Sequence, residues 1–330
     1  MPPRVLAYRP ATVAARLAPR SGACPLSLRD LLRAAGRLRR PLPLVSAPVA
    51  PVARGALVAA REAGSVLGLL LPPGSAPEPW VRAVTRAADE VAAGLPFSLG
   101  GEVRAGGGSR QEVERAYHES WRLVEAGVTH LAVDVTAVSP ADRGAVAAEL
   151  GRAAHERGLG VDLVAPGEGG TVTPGPVAAV VEALSARGFH PDAVSVRGVA
   201  PAGADGARAE VRRLAEICAA LGGLPVLRRG PTTPELLRLL AASPIRGCED
   251  GGAAERAASG AVPWDLVGAA PEGPSRSTRL ELAVAELSEE GVERLEARAY
   301  VEVADLLDRL GAAGSGAALV ASLEAEPGPP

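Results

Sequence analysis

The chain has 330 residues, of which 47% are hydrophobic and 22% charged, and this is enough apolar material for one large core. Its net charge of −3 argues against a general binder of nucleic acid or of membrane surfaces. All 35 basic residues are arginine, and because a Schiff base with a carbonyl substrate requires a lysine amine, that chemistry is excluded.

The sequence also indicates a location. No apolar stretch reaches the ~18 residues that a transmembrane helix needs. Residues 1–24 carry scattered arginines and no long apolar segment, which is not typical of a secretory signal. The three cysteines, Cys24, Cys218 and Cys248, are widely spaced and predict neither a disulfide framework nor a zinc knuckle. We therefore expect a cytoplasmic protein.

Residues 1–41 are expected to be a lead-in with one helix, in the segment SLRDLLRAAGRLRR. From residue 42 onward, short apolar runs alternate with amphipathic stretches. The runs predict eight strands, at 42–48, 66–73, 95–103, 130–138, 160–166, 193–199, 224–231 and 245–252. The stretches between and after them predict eight helices, at 52–64, 78–92, 109–127, 142–158, 173–188, 207–222, 233–244 and 253–259. Ser109 is the expected N-cap of the third of these helices, and Gly127 its end.

Strand followed by helix, repeated eight times, predicts an α/β protein with a closed (β/α)₈ TIM barrel over residues 42–259. The near-continuous apolar strands are typical of a parallel sheet that is buried on both faces. No glycine-rich dinucleotide fingerprint follows the first strand, which argues against an open sheet. Residues 260–330 are expected to be a C-terminal extension. Its long helix, at 292–314, should pack on the barrel wall or in a subunit interface, and its tail from residue 323 should be disordered.

Active sites of this fold lie at the C-terminal ends of the strands, and three carboxylates there are candidate catalytic groups. Glu102 and Asp134 end the third and fourth strands, and Glu168 lies in the loop after the fifth. Asp134 stands out because it lies within the apolar run LAVDVTAV, where a charge needs a partner or a function. The alternatives are that the glutamates are solvated loop residues and that Asp134 pairs with Arg197 or Arg228.

Arginines at the neighbouring strand ends are candidates for binding phosphate or carboxylate, because guanidinium donors form a planar fork. Side chains alternate along a strand, so two adjacent arginines there cannot both face the mouth of the barrel. Glycines and hydroxyl groups just before helix starts add donors that favour an anion. The full candidate set for substrate or phosphate binding is Arg197, Arg228, Arg229, Gly230, Thr232, Asp250 and Gly251. The alternative is a loop of charge-paired arginines.

The histidines do not predict a metal site. His118 and His155 lie within predicted helices, and His130 and His190 begin strands, at the end of the barrel opposite the mouth. A three-histidine zinc site is therefore not expected, and no cofactor is predicted. A weak magnesium site with oxygen ligands from Glu102, Asp134 and Asp250 is left open.

The order of segments resembles the class II fructose-bisphosphate and tagatose-bisphosphate aldolases. Residues 132–170 resemble that family's strand ending in Asp-Gly-Ser, the helix that follows, and the next strand with its Glu-x-Glu. Residues 225–235 resemble the strand ending in His-Gly-Gly-Ser-Gly, and the segment IRGCEDGG resembles the phosphate-binding segment. Residues 297–316 resemble the terminal helix. The resemblance implies a (β/α)₈ barrel and aldol chemistry on a sugar phosphate, assisted by zinc.

The positions at which this sequence differs from the family are the ones that carry the family's chemistry. Asp134 and Asp250 match family aspartates, but the other functional positions differ. The family's catalytic Asp-His reads Gly100, Gly101 and Glu102 here, and its metal-associated Glu-x-Glu reads Asp162, Leu163 and Val164. Its later histidines fall near Ala200 and Pro201 and at Arg229, and its substrate-binding asparagine falls near Cys248. The resemblance therefore implies a barrel that keeps part of the phosphate end and has lost its zinc ligands.

Three kinds of function remain open. The first is a lyase or isomerase that acts on a phosphorylated sugar with carboxylates instead of zinc. The second is a catalytically inactive aldolase-like subunit that binds a partner chain or a metabolite. The third is a barrel of unrelated chemistry, since fold alone does not fix function. The expected partners are a small phosphorylated or anionic metabolite and a second copy or an aldolase-like companion subunit, with neither nucleic acid nor membrane.

Overall fold

A closed ring of parallel strands forms the centre of the molecule in the computed structural model, which describes residues 4–165, 172–259, 261–262 and 276–325. A two-residue bridge, β1 (Cys24–Pro25), pairs with the start of one ring strand. The ring strands are β2 (Leu42–Ser46), β3 (Leu67–Leu70), β4 (Pro96–Arg104), β5 (His130–Asp134), β6 (Gly160–Val164), β7 (Ala193–Arg197), β8 (Val226–Arg229) and β9 (Gly247–Asp250). Consecutive strands pair, and β9 pairs with β2, which closes the barrel and confirms the predicted fold.

Helices surround the ring. A 3₁₀ helix (Arg4–Tyr8) precedes α1 (Ala11–Ala14), α2 (Leu28–Leu38), α3 (Ala50–Glu62), α4 (Pro77–Val91), α5 (Arg110–Ala126), α6 (Arg143–Glu156), α7 (Pro174–Ser185), α8 (Gly203–Ala220), α9 (Pro234–Ala241) and α10 (Ala253–Ala258). The predicted ends of α5 are confirmed. Ser109 and Glu112 form a reciprocal capping box, and Gly127 ends the helix in the left-handed conformation, with φ 106°.

The lead-in closes the barrel at the end opposite the mouth. Leu26 donates its backbone N–H to the carbonyl of Phe97 at 2.7 Å. Leu26 and Leu28 are buried together with Leu42 and Leu227 of the ring. A separate and larger apolar core lies between the strands and the surrounding helices. Because one end is filled by leucine side chains, the polar ends of the strands are left at the other end, where a site can form.

Three further helices follow the barrel: α11 (Arg276–Ala285), α12 (Glu289–Arg309) and α13 (Gly316–Glu324). The long helix α12 packs along α3 on the barrel wall, one of the two places expected for it. The tail prediction was wrong for its first residues, because Leu323 is buried in α13 beside Leu319, where both cover α2. Residues 326–330 lie outside the described part. No helix in the described ranges is both long and apolar enough to cross a membrane.

Candidate functional site

Charged side chains converge at the mouth because every second residue of a strand points inward. Six of them come from the ends of β4, β5, β7, β8 and β9 and are referred to below as the mouth network: Glu102, Arg104, Asp134, Arg197, Arg229 and Glu249. All of these except Asp134 line a cavity of about 270 Å³, together with Pro73, Gly198 and Gly230.

Glu102 is the centre of this network. Its Oε1 accepts from Nη2 of Arg197 at 2.6 Å and from Nη2 of Arg104 at 3.3 Å. Its Oε2 accepts from Nη1 of Arg229 at 3.2 Å. The side chain is only 8% exposed, so its charge depends on these partners. Glu102 therefore lies at the mouth, as predicted for a candidate catalytic group, but with both oxygens occupied.

Asp134 is buried at the end of β5 and is held by its own turn. The backbone N–H and the hydroxyl of Thr136 donate to its Oδ1 at 2.9 and 2.6 Å. Its Oδ2 lies 2.8 Å from Nε of Arg104 and 3.2 Å from Nη2 of Arg197. Burial opposes ionisation, but the Thr136 hydrogen bonds and the two guanidinium charges outweigh it and hold the pKa of Asp134 below its ordinary value. Of the two arginine partners expected for Asp134, Arg197 is present and Arg228 is not.

Arg229 is the least exposed arginine of the mouth network, at 12%. Its Nε donates to Oε2 of Glu249 at 2.7 Å, in addition to its bond with Glu102. Burial alone would lower the pKa of Arg229, but the charges of Glu249, Asp162 and Glu102 raise it instead. A permanently charged guanidinium therefore lies in the mouth, at the position that the resemblance matches to a family histidine.

A second polar layer, which the sequence analysis did not find, lies deeper in the barrel. The Asp162 carboxylate is fully buried and contacts the ring of His130 and the hydroxyl of Ser195. Burial opposes its ionisation, but the interactions with His130, Arg229 and Ser195 outweigh this and lower its pKa. These residues stand at inward-facing positions below the mouth, and this alternation was the signal that could have revealed them.

Arg228 does not reach the mouth, which corrects its assignment to the anion-binding set. Its side chain is fully buried on the helix side of β8, where Nε donates to Oε1 of Glu210 on α8 at 3.0 Å. Its other nitrogens donate to the carbonyl oxygens of Gly230 and Val199, the latter at 3.1 Å. Arg228 thus joins the two loops that follow β7 and β8.

The remaining residues predicted to bind phosphate do not all line the same cavity. Gly230 lines the mouth cavity, whereas Thr232 and Asp250 line a second cavity of about 220 Å³ against α12. Asp250 accepts from the backbone N–H of Gly252 at 3.0 Å and from Arg256 at 2.6 Å. The backbone N–H of Gly251 points at the Gly230 carbonyl, 3.4 Å away. Asp250 is therefore itself bound as an anion by Gly252 and Arg256, and the Gly251 N–H is directed at a backbone carbonyl. Glu168 lies outside the described residues.

The zinc ion implied by the resemblance does not fit these donors. The resemblance implies a histidine ligand at the position of Arg229, but the guanidinium there cannot ligate a metal ion and its positive charge repels one. Glu102 and Asp134 are engaged by arginines, and Asp250 lines the other cavity, so the three do not form a common magnesium site. Within the described ranges, no group of three histidine, cysteine, aspartate or glutamate side chains is placed to hold a metal.

Acid should weaken the folded state through Asp134 and Asp162. Their folded-state pKa values lie below the unfolded value of about 3.9. Their stabilising contribution is therefore complete above pH ~4 and is lost as the pH falls through the folded values. Urea unfolding between pH 6 and pH 2.5 measures this loss. Asp134→Asn should flatten the acid limb, whereas Asp205→Asn, at a side chain 98% exposed, should not. An unchanged acid limb in Asp134→Asn contradicts the prediction.

Comparison with known proteins supports the fold. No protein-family model and no curated protein matches the chain. Its structure is similar to that of a protein assigned as a fructose-1,6-biphosphate aldolase from Coccidioides immitis, with a TM-score of 0.62 and 19% identity over 88% of this chain and 98% of that chain. It is also similar to the YdjI aldolase from Escherichia coli K12, with a TM-score of 0.63 and 13% identity over 88% and 98%.

A third similar structure is that of a protein assigned as a tagatose 6 phosphate kinase from Sinorhizobium meliloti 1021, with a TM-score of 0.57 and 16% identity over 87% of this chain and 98% of that chain. At sequence identities between 13% and 19%, these comparisons show that the backbone fold is similar and do not show that the site is. This chain is a (β/α)₈ barrel with the fold of aldolase-like proteins.

Proposed function

We propose that this chain is an aldolase-like barrel that binds a small phosphorylated or otherwise anionic metabolite at its mouth and does not catalyse metal-dependent aldol cleavage. The observation that carries the proposal is the arginine-rich mouth network, and the resemblance adds that Arg229 matches the position of a family metal ligand. A guanidinium can bind phosphate or carboxylate through two parallel hydrogen bonds, but it does not act as a Lewis acid on a carbonyl.

The carboxylates of the mouth are poorly suited to acid–base catalysis. Both oxygens of Glu102 accept from arginines, and the low pKa of Asp134 makes it a weak base. Glu249 is also paired, through Arg229. This disfavours a lyase that uses these carboxylates in place of zinc.

Anion binding is better supported, because two arginines of the mouth network are exposed to solvent. The side chains of Arg104 and Arg197 are 52% and 44% exposed, and both line the mouth cavity. A phosphate that enters the cavity meets these two guanidinium groups before the more buried Arg229. Their forked donors match the oxygens of phosphate and carboxylate.

Calorimetric titration with inorganic phosphate, dihydroxyacetone phosphate and a hexose bisphosphate tests the binding. Arg197→Ala should weaken phosphate binding about ten- to a hundredfold, because one charge-assisted hydrogen bond is worth about 1.5–3 kcal/mol. Arg110→Ala is the matched control, since Arg110 is 93% exposed on α5, pairs with Glu114 and does not line the mouth cavity. If none of the three compounds binds the wild type at millimolar concentration, the proposal is wrong.

The catalytic half of the proposal needs a separate assay. Purified protein supplied with zinc, magnesium, manganese or cobalt should cleave fructose 1,6-bisphosphate or tagatose 1,6-bisphosphate no faster than the metal alone. The reason is that no Lewis acid can occupy a position filled by Arg229. If turnover rises with added metal and is lost when a chelator is added, the catalytic half of the proposal is overturned. The binding half is then judged by the calorimetric titration alone.

A further inference from the structure

The carboxylate of Glu102 is bound in the way that a protein binds an anionic ligand. We infer that Glu102 is an internal ligand of the mouth arginines, which competes with an incoming anion and makes the site select dianions over monocarboxylates. The inference rests on the proposed function, because it concerns the same cavity. It assigns Glu102 a role in specificity instead of the catalytic role expected from the sequence.

The geometry around Glu102 supports this role. Arg104 comes from the same strand, Arg197 from β7 and Arg229 from β8, so donors from three strands of the ring reach one carboxylate. The bond to Arg197 spans the mouth, because β5 and β6 lie between β4 and β7 on that side of the ring. Each carboxylate oxygen accepts at least one guanidinium hydrogen bond, and charge-assisted bonds of this kind are the strong ones.

The other two carboxylates of the mouth network do not occupy the same place. Asp134 is fixed by Thr136 within its own turn. Glu249 forms its ion pair with Arg229 alone among the described residues. Only Glu102, within the described part of the chain, pairs with all the arginines of the mouth network. It is therefore the group that an incoming anion must displace or share.

The net charge of the mouth network determines which anions can bind in place of Glu102. The mouth network has three arginines and three carboxylates, and it is neutral when all of them are ionised. A monocarboxylate offers the arginines no more than Glu102 already supplies. A phosphate dianion offers a second charge and a third oxygen, so it gains contacts that the internal carboxylate cannot make. Neutralising Glu102 leaves an excess of one positive charge and removes the competitor.

Two substitutions test the inference by isothermal titration calorimetry at pH 8, where inorganic phosphate is mainly the dianion. Glu102→Gln keeps the size of the side chain and should bind phosphate about tenfold more tightly than the wild type, a gain of about 1.4 kcal/mol. Glu102→Ala leaves a cavity of carboxylate size among the arginines. Acetate should bind there and raise the thermal unfolding midpoint, whereas it should not do so in the wild type. Glu114→Gln, at an exposed ion pair on α5, is the matched control.

The outcomes separate this inference from the proposed function. If the wild type binds phosphate, but Glu102→Gln shows no gain and Glu102→Ala shows no response to acetate, the inference is overturned and the proposed function stands. If the wild type binds no phosphate and Glu102→Gln does, the internal carboxylate closes the site, so its competition with anions stands, while the selection of dianions and the proposed function are both overturned. If neither variant nor the wild type binds an anion, both are overturned. Because Glu102→Gln is nearly isosteric, it keeps the test valid even if Glu102→Ala does not fold.

Discussion

Replacing Arg228 by alanine is expected to lower the free energy of unfolding by about 3–5 kcal/mol, because it breaks a buried ion pair and leaves the partner charge uncompensated. The Arg228 side chain is fully buried, and that of Glu210 is 8% exposed. The carbonyl oxygens of Gly230 and Val199 would lose a donor as well. The loops after β7 and β8 would then lose the side chain that connects them.

Urea unfolding followed by circular dichroism measures this effect. The double variant Arg228→Met with Glu210→Leu is the informative control. Apolar side chains of similar volume can replace a buried ion pair at little cost, so this variant should recover the part of the loss that comes from the unpaired Glu210 charge, whereas the Gly230 and Val199 carbonyls still lack their donor. Arg110→Ala, on the surface of α5, should change the free energy of unfolding by less than about 0.5 kcal/mol. A loss below about 1 kcal/mol in Arg228→Ala would show that the pair contributes little.

The second large effect is expected at Gly55, where the backbone of α12 lies close against α3. A Cβ atom on Gly55 would lie 2.9 Å from the backbone nitrogen of Tyr300 and closer still to the carbonyl oxygen of Glu296. Backbone atoms cannot rotate away as a side chain can, so Gly55→Ala should push the two helices apart. We expect a loss of about 1–3 kcal/mol in the free energy of unfolding, the usual range for overpacking.

The matched control is Gly36→Ala in α2, where the nearest atom to the new methyl group would be Nε of Arg246 at 3.9 Å, an ordinary contact. Alanine is a better helix former than glycine, so this variant should be as stable as the wild type or up to about 1 kcal/mol more stable. Thermal unfolding compares the two. Equal midpoints for Gly55→Ala and Gly36→Ala would contradict the close packing of α3 and α12.

The barrel could be predicted from the sequence because each of its units is a local pattern. An apolar run followed by an amphipathic stretch defines strand and helix without knowledge of any distant partner. Ser109 and Gly127 marked the ends of α5 for the same reason. Alternation also indicated that Arg228 and Arg229 point to opposite sides of β8, although it could not show which of them faces inward.

The partners in the site could not be predicted, because they come from distant parts of the chain. Arg228 pairs with Glu210 on α8, and Arg256 bridges Asp250 to Glu302 on α12. A sequence pattern gives the residue at a strand end but not the helix that packs beside it. The helices α11 and α13 were missed because their apolar positions fall in segments rich in small residues. Asp250 points away from the mouth because it is adjacent to the inward-facing Glu249 on β9, but the cavity that it lines is completed by α12, whose position no local pattern determines.

The seam that closes the barrel has a consequence for how the chain folds. The pairing of β2 with β9 joins Leu42 to Gly247, and Nη1 of Arg37 reaches the carbonyl of Ser322, 285 residues further along the chain. Contacts of such long sequence separation require the loop between them to close first, at an entropic cost, and they slow folding. We therefore expect amide protection in Gly316–Glu324 and along the seam to be acquired last during refolding, after the neighbouring strand–helix units have already formed.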